Sequence, residues 1–382
     1  MSEAKGCARG RKCESDRSAG PPATSRQPSV NRTSTRRQPS GSPVCLPFPH
    51  ESRFPEDRPR RPGAHRPGRR PADLDPRPAR REDPRGRRER GDGSGGPAAA
   101  SRTDLERRIT DYTARFGADT GYLPPGHADR EAVAHAVGLL LDGRRAQAAA
   151  RLAALDFDLR TVTDSATGRR YAEIADRTDT GPAPRGWGRV YLDLSAPVRW
   201  SVQVPHPVAD ARTEQLGVGV LRGTPGGALV IAGAHRDAGT GDAADVAHRR
   251  DTVFAAVCAE LAGRGLPGLQ IHGFADDSAP DYDVIASTGR ATHESRAAAR
   301  ALATALRTRD FTVCRAWARS CPLEGHTNEQ GRTAAARDST FLHVEFANAI
   351  RTDHRAAARA VAAMNEVTAR WEGGSGPAPL HR

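Results

Sequence analysis

A succession of short apolar runs, most of them separated by helical patterns, constrains the fold of this chain more than any other feature. The runs lie in "WSVQVPHP", "GGALVIAGAHRDA", "GLQIHGFA", "DYDVIAS", "FTVCRAWA" and "TFLHVEFANAI". Between or after them, "DVAHRRDTVFAAVCAELAGRG", "SRAAARALATALRTRD" and "DHRAAARAVAAMNEVTARW" repeat apolar residues at helical spacing. Strands alternating with helices predict an α/β domain, a mixed and mostly parallel sheet flanked by helices. Upstream, "SRTDLERRITDYTARFG" and "DREAVAHAVGLLLDGRRAQAAARLAAL" predict two or three helices, and "GWGRVYLDLS" alternates as a strand. The expected organisation is a helical segment over 101–165 and the α/β domain over 166–375.

The first hundred residues do not fit this pattern. They are rich in Arg, Pro, Ser and Gly, and hold 23 Lys+Arg against 12 Asp+Glu of the chain's 58 and 46. Such a segment lacks the apolar residues to build a core and is expected to be a disordered basic tail. The remainder is almost neutral. A basic tail attracts nucleic acid without specificity, but Lys5 and Lys12 are the only lysines. The Arg, Ala, Gly and Pro usage of a GC-rich genome explains the tail more simply, and nucleic acid is not the expected partner. With no membrane-length apolar stretch and no apolar signal core, the expected location is cytoplasmic. Cys314 and Cys321 are compatible with a disulfide or with two thiols, and the oligomeric state is not legible.

Three of the apolar runs end in a histidine: His206, His235 and His272. Ligands of open α/β sheets bind beyond the carboxyl ends of the strands. One histidine there is ordinarily structural, but three after successive strands point to a shared edge and to a metal. Glu345 sits inside a late strand with apolar Val344 and Phe346 on either side, so its carboxylate takes the opposite face. An acid placed there needs a partner, such as Arg351, or a task. His248, with Asp245 at the expected start of a helix, is either an imidazole placed to orient a ligand or to donate to an oxyanion, or an exposed first-turn histidine. His293, His326, His343 and His354 lack such context and are expected at the surface or in support.

The ordered series of motifs resembles the N-formylglutamate amidohydrolases and, more loosely, the poly-gamma-glutamate hydrolases of zinc-carboxypeptidase-like fold. "VPHPVAD" is similar to the family's strand followed by Pro-His-Ser-Gly, "LQIHGF" to its Asp-Cys-His-Ser, and "HVEFANAIRTD" to its Gln-Ile-Glu-Leu-Asn-Arg. The resemblance spans 200–353. It departs at the proline after His206, at His235-Arg236-Asp237, and in a later loop without paired glycines.

What the resemblance implies is a zinc ion held by His206, Asp210 and His272, with Glu214 as the alternative acid. The fourth position is left open, as catalytic zinc requires. Glu345 is then the general base of an amide hydrolysis. His235, Arg236, His248, Arg332 and Arg351 are the candidates for binding a small anionic amide or peptide substrate, guanidinium being suited to carboxylates. The competing readings are an inactive binding module of the same fold and a nucleic-acid-associated protein acting through the tail.

Overall fold

A computed structural model describes residues 101–181, 183–290 and 292–374; the expected disordered tail lies outside the described residues. The strands are β1 (Ser101–Thr103), β2 (Phe157–Asp164), β3 (Arg170–Asp176), β4 (Arg189–Asp193), β5 (Trp200–Val204), β6 (Gly227–Ile231), β7 (Gly268–Phe274), β8 (Val284–Ser287), β9 (Val313–Arg315) and β10 (Phe341–Ala347). The helices are α1 (Leu105–Thr113), α2 (His127–Leu141), α3 (Arg145–Ala153), α4 (Thr213–Gly223), α5 (Val253–Gly263), α6 (His293–Arg307), α7 (Glu329–Ala335), α8 (Asn348–Thr352) and α9 (His354–Gly373).

All ten strands form one sheet in the order β1-β2-β3-β4-β6-β5-β7-β10-β8-β9. Its centre, β6-β5-β7-β10, is wholly parallel, while β2, β3, β4 and β6 join antiparallel and β8 runs against β10. The mixed, mostly parallel sheet flanked by helices is therefore present. The helical segment expected over 101–165 also carries β1 and β2, because Phe157–Asp164 pairs with β3 instead of extending α3.

The period of two along the central strands divides the sheet into two unlike faces. Trp200, Val202 and Val204 of β5, Leu269 and Ile271 of β7, and Leu342, Val344 and Phe346 of β10 enter one apolar core with residues of α4, α6 and α9. The opposite face is apolar beneath β3, β4 and β6, where Ile174, Val190, Leu192 and Val230 pack with residues of α2 and α5. Beneath β5, β7 and β10 it changes character. Ser201, Gln203, Gln270, His272, His343 and Glu345 are all buried there. Buried polar side chains destabilise a sheet unless each finds a partner, so this patch marks where the fold departs from a pure packing solution.

Two local findings differ from the sequence reading. Helix α5 begins at Val253, capped by the Thr252 hydroxyl on the Ala255 N–H at 3.1 Å, so Asp245 and His248 lie in the preceding loop and not in a first helical turn. Cys314 and Cys321 are disulfide-bonded across the segment after β9; such bonds persist in oxidising compartments. No helix among the described residues is long and apolar enough to cross a membrane.

Candidate metal centre

His206 lies two residues past β5, and Asp210 follows on a tight loop. The Asp210 N–H donates to the His206 carbonyl at 2.9 Å, an i to i+4 closure that turns both side chains to the same side. The loop is strained. Val208 (φ 70°) and Arg212 (φ 67°) occupy the left-handed region, unusual for a β-branched residue and costly by about 1–3 kcal/mol each. His272 lies inside β7, not beyond its end as the sequence suggested, and the register places it directly beside Glu345 of β10.

These residues meet. Asp210 Oδ2 is 3.3 Å from His206 Nδ1 and 3.3 Å from His272 Nδ1, and the three side chains are buried. Two ligand atoms about 2.0–2.1 Å from a shared tetrahedral zinc lie roughly 3.3 Å apart. The other nitrogen of each ring faces an acceptor. His206 Nε2 is 2.8 Å from Asp245 Oδ1, and His272 Nε2 is 2.8 Å from Gln270 Oε1.

The hydrogen-bond network assigns the His272 tautomer. Asn328 caps α7 by accepting the Gly331 N–H at 2.8 Å on its Oδ1, so its Nδ2 donates to Gln270 Oε1. Gln330 Nε2 donates to the Val246 carbonyl at 2.8 Å, so its Oε1 accepts Gln270 Nε2 at 3.1 Å. Gln270 Oε1 is thereby an acceptor and His272 Nε2–H its donor. A neutral His272 then presents a bare Nδ1 lone pair to the Asp210 carboxylate. Two acceptors facing each other call for a proton or a metal cation between them, and a ring held by an acceptor behind it is the usual support of a metal-ligating histidine.

The electrostatics agree. Burial, ahead of the opposing pull of Asp210, lowers the His272 pKa and keeps the ring neutral. Burial also opposes charge on His206, but it lies between Asp210 and Asp245, and these raise its pKa. Asp245, despite burial, is held well below the usual carboxylate range by His206 and His248. Two carboxylates thus converge on His206 and favour positive charge there, on the ring itself or on a cation in the place of its proton.

A second set of potential ligands, His272, His343 and Glu345, adjoins the first and shares His272. Burial, with a smaller contribution from Asp210, pushes the Glu345 carboxyl up to about 8. Burial, together with the nearby His272, takes the His343 pKa well down. Of the two places expected for it, His343 takes the supporting one: it is buried, its ring centroid is 4.5 Å from that of His272, and its Nε2 is 3.7 Å from Glu345 Oε1. Its signal was present, because it stands two residues before Glu345 on the same face of the same strand. Gln270, two residues before His272, carried the same signal.

The remaining candidates separate. Glu214, on α4, is buried with an unpartnered Oε2 and does not join either ligand set, so Asp210 is the acid beside the histidines. His235, four residues beyond β6, accepts the Asp237 N–H at 3.3 Å and also stays outside both sets. Arg236 donates to Asp245 Oδ2 at 2.6 Å, and His248 Nδ1 lies 3.0 Å from the same oxygen. Arg332 pairs with Glu329 at 2.8 Å.

Arg351, expected as a substrate arginine, is engaged by the backbone. Its guanidinium donates to the carbonyls of Phe346 at 3.0 Å, Phe274 at 2.9 Å and Ala211. It lies across Gly273, where a Cβ would come within 2.3 Å of its Nε. Each of its three nitrogens makes one such bond, and together they tie β7, β10 and the Asp210 loop. Arg351→Lys is therefore expected to destabilise the fold by about 2 kcal/mol, because a single ammonium nitrogen cannot reach three carbonyls set around a planar guanidinium. Urea unfolding measures this; an unchanged midpoint with a raised KM would reverse the assignment.

No protein-family profile matches the chain, and no curated protein sequence is similar to it. Among solved structures, the chain is similar to an N-formylglutamate amidohydrolase from Ralstonia eutropha JMP134, at 14% identity and a TM-score of 0.33, over 45% of this chain and 92% of the other. It is similar as well to a metallo-carboxypeptidase from Burkholderia cenocepacia, at 15% identity and a TM-score of 0.33, over 60% of this chain and 68% of the other.

Proposed function

We propose that the chain is a zinc-dependent hydrolase of amide bonds in N-acyl amino acid or gamma-glutamyl-type substrates. The observation that carries this reading is the convergence of His206 Nδ1, His272 Nδ1 and Asp210 Oδ2, with Glu345 adjacent on the next strand. Two imidazoles and one carboxylate are a donor set suited to zinc, with room for a further ligand. Zinc held there supplies Lewis acidity to water and to a scissile carbonyl.

The chain's own groups do the rest. Asp245 and Gln270 hold the two imidazoles in the orientation that turns Nδ1 inward. The Gly273 N–H donates to Asp210 Oδ2 at 3.2 Å and fixes the carboxylate. Glu345 receives the proton of the attacking water on its carboxylate and returns it to the departing nitrogen. Its burial keeps it from competing solvent and raises its pKa, which favours the donor role of the second half; a cation held beside it would favour the carboxylate that the first half needs.

The test is hydrolysis of a panel of N-acyl amino acids and short gamma-linked peptides by metal-loaded and chelator-treated protein. Cleavage that disappears on chelation and returns with zinc is the expected result. Cleavage indifferent to chelation would refute zinc dependence, and no cleavage of any amide would favour a binding module.

A further inference from the structure

The two histidines of the candidate metal centre are supported from behind by groups far apart in the chain, Asp245 behind His206 and Gln270 behind His272. Gln270 is fixed within β7. Asp245 stands between β6 and α5 in a run of turns, where Asp245, Val246 and His248 donate their N–H groups to the carbonyls of Asp242, Ala244 and Asp245 at 3.1, 2.9 and 3.1 Å. Such bonds set the local shape of a turn. They leave its place in the molecule to other contacts.

The directional contacts come from the start of α7. The Glu329 N–H donates to the Ala247 carbonyl at 2.8 Å, and Gln330 Nε2 donates to the Val246 carbonyl at 2.8 Å. Among the described residues, these two hydrogen bonds tie the backbone of 244–248 to another segment. Val246 also enters the core beneath β4 and β6, and Ala244 packs with Tyr122, but apolar contact is not directional.

The same carboxamide reaches the other histidine. Gln330 Oε1 accepts Gln270 Nε2 at 3.1 Å, and Gln270 Oε1 accepts His272 Nε2–H at 2.8 Å. Gln330 is only 4% exposed, with one protein partner at each end of its amide. One planar group thus spans the supports of both imidazoles.

We propose that Gln330 is a positioning residue that sets the two ligand histidines relative to each other, through Val246 and Asp245 on one side and through Gln270 on the other. The inference rests on the metal centre of the proposed function and adds to it the means by which donors from two separate strands meet at one point. A tetrahedral ion needs its donor atoms placed together, and supports behind the ligands are worth about 10–100-fold in metal affinity. A glutamine that served packing alone would affect stability and leave the metal unchanged.

Cobalt(II) in place of zinc tests this without a substrate, because its visible absorption follows the geometry of its ligands. Gln330→Met keeps length and packing and removes both hydrogen bonds. In the full chain it is expected to weaken cobalt binding about tenfold and to alter the spectrum of the bound ion. Gln330→Asn, polar but one methylene shorter, cannot span both partners; the same changes are expected of it, and it serves should the Met variant not fold. Glu329→Gln is the control from the same helical turn. Its backbone bond to Ala247 remains while its side-chain pairs with Arg332 and Arg250 are lost, so cobalt affinity and spectrum are expected to match wild type.

A cycle of variants reads the two routes separately. In an Asp245→Ala background, and again in a Gln270→Met background, the Gln330→Met effect is expected to shrink to about threefold, because one of its two routes is then closed. An undiminished effect in either background would overturn the coupling, leaving Gln330 to act on one histidine alone. Wild-type cobalt affinity and spectrum in both Gln330 variants, or equal changes in the Glu329→Gln control, would overturn the positioning role. Wild-type protein that binds no cobalt would overturn the metal centre and this inference with it, whereas failed amide cleavage leaves the cobalt measurement standing.

Discussion

Glu345→Gln is expected to lower kcat for amide hydrolysis by about two to four orders of magnitude while zinc content stays at the wild-type level. The side chain is buried in the middle of β10, beside His272 in the parallel register, and its neighbours Val344 and Phe346 anchor the strand in the opposite core. Glutamine keeps the size and one carbonyl oxygen, so strand pairing and packing survive. It removes only the capacity to accept and return a proton. Burial that pushes the carboxyl up to about 8 is acceptable for a residue that exchanges protons and costly for one that serves packing alone. Steady-state kinetics with metal analysis on the same sample decide the matter; a rate within a few fold of wild type would remove Glu345 from the chemistry.

The second large effect is on the metal. His206→Ala and His272→Ala are each expected to weaken zinc binding by at least about 100-fold, the upper end of what losing a mere supporting contact costs. The fold is expected to stay intact, because both side chains lie on the polar patch while Val204 and Ile271 hold the adjoining backbone in the apolar core. The pair also separates the two ligand sets. His272 belongs to both, whereas His206 belongs only to the set with Asp210. Zinc retained in the His206 variant but lost from the His272 variant would move the ion to the His343–Glu345 side. Full occupancy in both would dismiss the metal centre.

The alternation of apolar and polar residues in β5, β7 and β10 was legible because it is local: a period of two states which face each side chain takes whatever the rest of the chain does. The α/β architecture followed from the order of strands and helices; of the histidines expected past strand ends, His206 does lie past β5, whereas His272 lies inside β7. The same period also contained His343 and Gln270. Neither stands out by itself, because a single polar residue in a strand says nothing of what lies across from it.

Only the tertiary structure decided the partners. That Arg351 donates to the carbonyls of Ala211 and Phe274, that Asp245 stands behind His206, and that Asn328 and Gln330 fix the Gln270 amide are contacts between segments far apart in sequence. Sequence spacing carries no information about such meetings. They exist because a parallel sheet brings the carboxyl ends of non-consecutive strands to one edge, and because every polar group buried there must find its hydrogen bonds in whatever the fold places opposite.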